Sequence, residues 1–125
     1  MIKEKENSVF VFSNWFKETV FTKRDAFILM DADSKFFYDP PQADAQFVAF
    51  KNTKFAREFV EEWLKYCEDE RMLTDMQNTL GKPNFDGFRD HRHDQSILSL
   101  LTKKRIQKGE MKWDPVGRGH LLVRG

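Results

Sequence analysis

Between Asp86 and Gln95 the chain gathers Asp86, Asp90, His91, Arg92, His93, Asp94 and Gln95, the densest group of chemically versatile side chains in the sequence. An imidazole is the side chain most easily moved across neutral pH. A carboxylate at a helix start is stabilised by free backbone N–H groups, which lowers its pKa. His91, His93 and Asp94 also offer a metal imidazole and carboxylate ligands, but their spacing is unspecific, and His120 is the only other histidine. The same residues equally describe an N-cap at Asp94 with two solvated or hydrogen-bonded histidines. A second candidate is the D-x-D of Asp31 and Asp33. Such a pair holds a divalent cation against a diphosphate when the backbone is extended, and becomes two solvated residues when it follows a helix. Cys67 falls on the apolar face of a helix, and neither a Gly-x-Ser-x-Gly nor a P-loop occurs.

The elements that must position these groups follow from periodicity. Val9–Phe12 is a β-branched and aromatic run that predicts a buried strand ended by Ser13 and Asn14. Thr22 to Met30 reads as a helix capped by Thr22 with Asp25 three residues on, although Phe27–Met30 is also a continuous apolar run. Charges, Tyr38, Pro40 and Pro41 make Asp31–Pro41 a loop. Gln46–Lys51 predicts a strand apolar on both faces, hence central, followed by the caps Asn52 and Thr53. Phe55, Phe59, Val60, Trp63, Leu64 and Cys67 then recur at helical steps, with Lys54, Arg57, Glu58, Glu61, Glu62 and Lys65 on the other face. Glu68–Arg92 dissolves into a long loop, a length that marks functional or disordered segments. Asp94 opens a second helix with Ile97, Leu98 and Leu101 inward and Lys103, Lys104 and Arg105 in its last turn. Leu121–Val123 offers an edge strand.

Composition bounds the rest. The 125 residues are 40% hydrophobic and 33% charged, with a net charge of +1, which disfavours a non-specific nucleic-acid binder. A chain of this length buries roughly two thirds of its unfolded surface, and 13 Phe supply much of that core. No apolar run approaches the ~20 residues that span a bilayer, and the first residues lack a signal peptide's apolar segment. One cysteine excludes an intrachain disulfide and a Cys-rich zinc site. A cytoplasmic protein of one domain, residues 1–125, is the expectation.

Several segments together resemble glycosyltransferase-like proteins of polysaccharide and capsule clusters: Thr22-Lys23-Arg24-Asp25, Pro41-Gln42, Phe47 to Thr53, Glu62 to Cys67, Leu73-Thr74-Asp75 and, above all, His91-Arg92-His93-Asp94-Gln95-Ser96-Ile97-Leu98-Ser99-Leu100-Leu101. The resemblance covers roughly residues 20–105. It implies an α/β chain with a partial GT-A (nucleotide-diphospho-sugar transferase) fold, a few strands with two main helices packed on them, corresponding to the C-terminal half of such enzymes. Asp94-Gln95-x-x-Leu98 is also similar to the D-Q-x-x-L-N segment of glycogenin-like and lipopolysaccharide galactosyltransferases, with Ser99 in place of the usual Asn.

On that resemblance Asp94 and Gln95 are the catalytic candidates, Asp94 contacting sugar hydroxyls or the acceptor and Gln95 stabilising oxocarbenium charge. His91, Arg92 and His93 would bind substrate. Asp31, Asp33 and His120 are the candidates for a divalent cation, manganese or magnesium. The implied partners are a nucleotide-sugar, a saccharide acceptor, and a partner chain or a second copy, because half of such a fold leaves a sheet edge or apolar face uncovered. A non-catalytic module docking a partner through its Phe-rich surface is the alternative. A metal-dependent hydrolase built on His91, His93 and Asp94 is a third.

Overall fold

The computed structural model describes residues 8–113 and 121–124. Strand β1 (Val9–Lys17) runs antiparallel to β2 (Pro41–Phe50) on one side and to β4 (Leu121–Arg124) on the other, and β3 (Lys112–Trp113) pairs with β4, giving the order β2-β1-β4-β3. The result is a small α/β domain with a four-stranded antiparallel sheet. β1 continues past Ser13 and Asn14 because its register against β2 shifts after Val11 and again after Ser13, which lets the strand bend instead of stopping. β2 begins at Pro41 and lies at the sheet's edge rather than its centre. Its apolar run is explained by what covers it: helix α5 packs on one face, and Phe50 is left exposed. The apolar tail run does form a strand, yet β4 sits between β1 and β3 and is not an edge.

Helix α1 (Arg24–Leu29) fulfils the helical alternative for this stretch. Thr22 does not cap it: the flanking residue is Lys23, and the Thr22 hydroxyl turns to Glu18 instead. Within the predicted loop Lys35–Tyr38 closes a single helical turn, α2, ahead of Pro40 and Pro41. Helix α3 (Lys54–Cys67) is the predicted amphipathic element, capped where Thr53 Oγ1 accepts the Ala56 N–H at 3.1 Å. A short turn, α4 (Glu70–Leu73), caps itself on Asp69 and buries Met72. Helix α5 (His93–Gln107) follows the long loop.

α5 departs most from expectation. Every residue from Ser96 to Lys103 is buried, so the helix has no solvated face over two turns. Ile97, Leu98, Leu100 and Leu101 join Val9, Val11, Phe27, Phe59 and Met72 in one core. Ser96, Ser99 and Lys103 recur at steps of three and four and form a buried polar stripe. That stripe faces Glu18, which is completely buried in the 3₁₀ turn Glu18–Val20 after β1. Glu18 accepts from the Thr22 hydroxyl at 2.7 Å, Gln42 Nε2 at 2.9 Å and Lys103 Nζ at 2.7 Å, and from the Ser99 hydroxyl. Lys103 spends its other two N–H donors on the carbonyls of Phe37 (3.0 Å) and Pro40 (2.8 Å). Burial pulls the Lys103 ammonium pKa down, and the adjacent Glu18 charge opposes that shift. Lys103, Lys104 and Arg105 are therefore more than dipole partners. Lys104 Nζ donates to the Met30 carbonyl at 2.7 Å, and Arg105 binds Glu62 and Glu110.

Candidate functional site

The loop between α4 and α5 is held in place by the three consecutive residues Lys23-Arg24-Asp25, each in a different way. The Lys23 ammonium donates to the carbonyls of Thr74 (3.0 Å) and Met76 (2.8 Å). Arg24 grips Asp33 with Nε and Nη2 (2.8 and 3.1 Å), donates to the Pro83 carbonyl at 3.2 Å, and lies 4.1 Å from the centre of the Phe85 ring. Asp25 is fully buried, and its carboxylate accepts the backbone N–H groups of Thr79 (2.6 Å) and Leu80 (3.2 Å). In return Asn78 and Asn84 accept the N–H groups of Asp25 (3.0 Å) and Arg24 (2.7 Å), the otherwise unpaired donors at the start of α1. The loop is thus a positioned segment with little secondary structure. Changing Asp25→Asn removes the charge from two of these bonds and turns an amide N–H₂ toward N–H donors. The expected cost is about 2 kcal/mol, read as accelerated hydrogen exchange at the Thr79 and Leu80 amides.

His91 ends the loop with both ring nitrogens committed: Nδ1 accepts the Lys23 N–H at 3.1 Å, and Nε2 donates to the Met72 carbonyl at 2.6 Å. This pairing requires the neutral Nε2–H tautomer. Burial pushes its pKa down to about 4, with the Met72 carbonyl opposing and the Lys23 charge assisting. His91 is accordingly a joint between α1, α4 and α5. A ligand role would break two hydrogen bonds, so the metal-hydrolase arrangement of His91, His93 and Asp94 is not assembled. Arg92 places its guanidinium 3.8 Å from the centre of the Phe21 ring and 3.6 Å from Asp90.

His93 is the first residue of α5 and has φ of 47°, a left-handed backbone uncommon outside glycine. Its Nε2 meets Asp75 Oδ1 at 2.8 Å, and its ring lies edge-on to His91 at 5.5 Å. Asp94 is exposed. It is not the N-cap, a position held by Arg92, whose N–H is accepted by the Ser96 hydroxyl at 3.1 Å. Asp94 Oδ1 accepts the neighbouring Gln95 N–H at 3.0 Å, and its carbonyl accepts the Trp63 indole N–H at 3.1 Å. Gln95 turns inward: its oxygen accepts the Ala45 N–H at 3.1 Å and its nitrogen donates to Gln42 at 2.9 Å. The sequence cluster thus divides into an outward pair, His93 and Asp94, and two positioning residues, His91 and Gln95.

Asp31 and Asp33 do not form a cation pair. They follow α1, Asp31 has φ of 53°, and the extended backbone that would aim both carboxylates at one ion is missing. Asp33 is also satisfied by Arg24, by the Tyr38 hydroxyl at 2.6 Å and by Lys82 at 3.5 Å. Those contacts hold the Asp33 carboxyl below its usual range despite burial, while burial and Asp33 push the Tyr38 phenol up to about 12. A cation there would face two resident cations, so the residues do not fit one. His120 lies outside the described residues. Among the described residues no group of three or more His, Cys, Asp or Glu gathers in a metal-holding arrangement. Cys67 is half-buried, and burial followed by the Asp94 charge raises its thiol pKa, the opposite of an activated nucleophile.

Sequence reasoning missed Glu18, Gln42 and Asp75. The signal for the first was present in the polar stripe Ser96, Ser99 and Lys103, whose helical spacing inside an apolar run calls for a buried acidic partner. Among the described residues no helix is long and apolar enough to cross a membrane. Comparison of the chain with protein families, curated proteins and solved structures finds no match.

Proposed function

We propose that the chain is a glycosyltransferase-related domain of GT-A type that engages the sugar during transfer from a nucleotide-diphospho-sugar to a saccharide acceptor. One observation carries this reading. Asp94, one of the two residues that the resemblance makes catalytic, stands at the exposed start of α5, where His93 holds a left-handed backbone and Asp75 fixes its ring. Non-glycine residues in that conformation cost about 1–3 kcal/mol each and cluster at functional sites. In this arrangement Asp94 is the carboxylate free to receive sugar hydroxyls. His93 shapes the same surface, and Gln95 acts by fixing α5 to β2 through Gln42 and Ala45.

The test is thermal unfolding against a panel of uridine, guanosine and cytidine diphosphate sugars, with and without manganese. One nucleotide sugar is expected to raise the transition temperature, because a ligand of the folded state stabilises it. Asp94→Asn is expected to abolish that rise while changing stability by less than about 0.5 kcal/mol, because the side chain is exposed and an asparagine oxygen can still accept the Gln95 N–H. Indifference to every donor would overturn the reading.

A second reading, a module that docks a partner chain, is favoured by the surface beside the β2 edge. Phe50, Ala56, Arg57 and Val60 line an open groove of about 430 Å³, and Leu64 on the same helix is 61% exposed. Sedimentation that reports self-association, lost on Val60→Asp with Leu64→Asp, is its expected signature. A concentration-independent monomer would eliminate a second copy as the occupant.

A further inference from the structure

A cavity of about 290 Å³ opens between Lys23 at the start of α1 and the long loop, with Asp75 in its lining. From its chemistry we infer that it binds one pyranose ring of a neutral saccharide. The volume lies at the small end of ligand pockets, which run roughly 300–1,000 Å³, and suits a single ring.

Its polar groups divide cleanly into those that hold the loop and those left for a ligand. Lys23 and Asn78 are committed to the loop, as is the Asn84 side-chain oxygen. Asn84 Nδ2, the Gln77 carboxamide and the Arg89 guanidinium have no hydrogen-bond or ion-pair partner among the described residues. Asp75 keeps its second carboxylate oxygen, and Asp90 is reached only by Arg92 at 3.6 Å. Planar amide, guanidinium and carboxylate groups each offer two hydrogen-bonding atoms in a plane, matching the vicinal hydroxyls of a sugar. The half-buried Phe88 supplies an apolar ring at the same wall for the C–H face of the pyranose.

Charge decides the ligand's own charge. Among the side chains lining it, Lys23 and Arg89 match Asp75 and Asp90 in number, so the lining carries no net charge to select an anion or a cation. The preformed frame also matters. Because Asp25, Asn78 and Asn84 already fix the backbone around the opening, a binding ring has only exposed side chains such as Gln77 and Arg89 left to order.

The inference deepens the proposed function by naming the sugar class, and it rests on that reading only for the sugar's fate, not for its binding. Titration of the full chain by saturation-transfer NMR with methyl hexopyranosides tests it, beside glucuronate as an anion and an amino acid as a zwitterion. Saturable binding of at least one neutral pyranoside, in preference to both controls, is expected. Gln77→Ala and Arg89→Ala remove side chains without intramolecular partners, so each is expected to keep the wild-type unfolding transition and weaken binding about tenfold. No pyranoside binding, preference for either charged control, or binding untouched by both variants would overturn it. A chain that binds pyranosides but no nucleotide sugar retires the transferase reading alone. One that binds a nucleotide sugar but no pyranoside retires this inference alone.

Discussion

Replacing Lys103 by methionine is expected to cost the fold about 3–5 kcal/mol, because it strands the fully buried Glu18 carboxylate without a counter-charge. For a domain of this size that corresponds to a fall of roughly 10–20 °C in the unfolding midpoint, a large share of the 5–15 kcal/mol that holds a typical domain folded. The carbonyls of Phe37 and Pro40 lose their donor in the same stroke. Glu18→Gln combined with Lys103→Met removes the stranded charge and is expected to recover much of the loss. Thr22, Gln42 and Ser99 remain to satisfy the neutral amide. Chemical denaturation of the single and double variants measures both. A cost under about 1 kcal/mol for Lys103→Met would mean that Glu18 takes up a proton or reaches water instead.

Acid is expected to loosen the domain through His91. The imidazole titrates near its ordinary value when unfolded and at about 4 when buried between Lys23 and Met72. Between those values the unfolded chain binds the extra proton and the folded one does not, so stability is full above about pH 6.5 and falls as the pH drops toward 4. The depression corresponds to about 3 kcal/mol over that window. Urea unfolding at a series of pH values should show this slope in the wild type and a flatter one in His91→Gln, whose amide can serve the same two backbone groups without a proton to gain. Equal slopes would assign the acid sensitivity elsewhere. Since His91 joins α4 to α1, the first opening on acidification should be the long loop, visible as faster amide exchange around Thr79.

These two groups also mark the boundary of what the sequence discloses. Helix α3 was legible because its apolar stripe and its Thr53 cap are local patterns, readable without knowing what lies opposite. The position of His93 and Asp94 at a helix start was legible for the same reason. Glu18 was not, since a lone glutamate after a strand reads as solvated until Lys103, 85 positions away, is brought against it. The edge position of β2 was misjudged because an apolar run reports burial, while order in the sheet depends on β4 reaching β1. The D-x-D failed on backbone geometry: two carboxylates one residue apart share a ligand only on an extended chain, and Asp31 follows a helix in a left-handed turn. Gln95 lies in the first turn of α5, yet its amide faces inward, a choice set by Gln42 on a strand some fifty positions earlier.

The placement of β4 between β1 and β3 has a consequence for how the molecule is made. Phe12 waits for Leu121, so one side of β1 stays open until about 110 further residues have been synthesised. At translation rates of roughly 5–20 residues per second that is on the order of 5–20 s. During that interval a nascent hairpin of β1 and β2 offers an unpaired strand rich in Val and Phe beside the ribosome, a natural substrate for a chaperone that shields extended apolar segments.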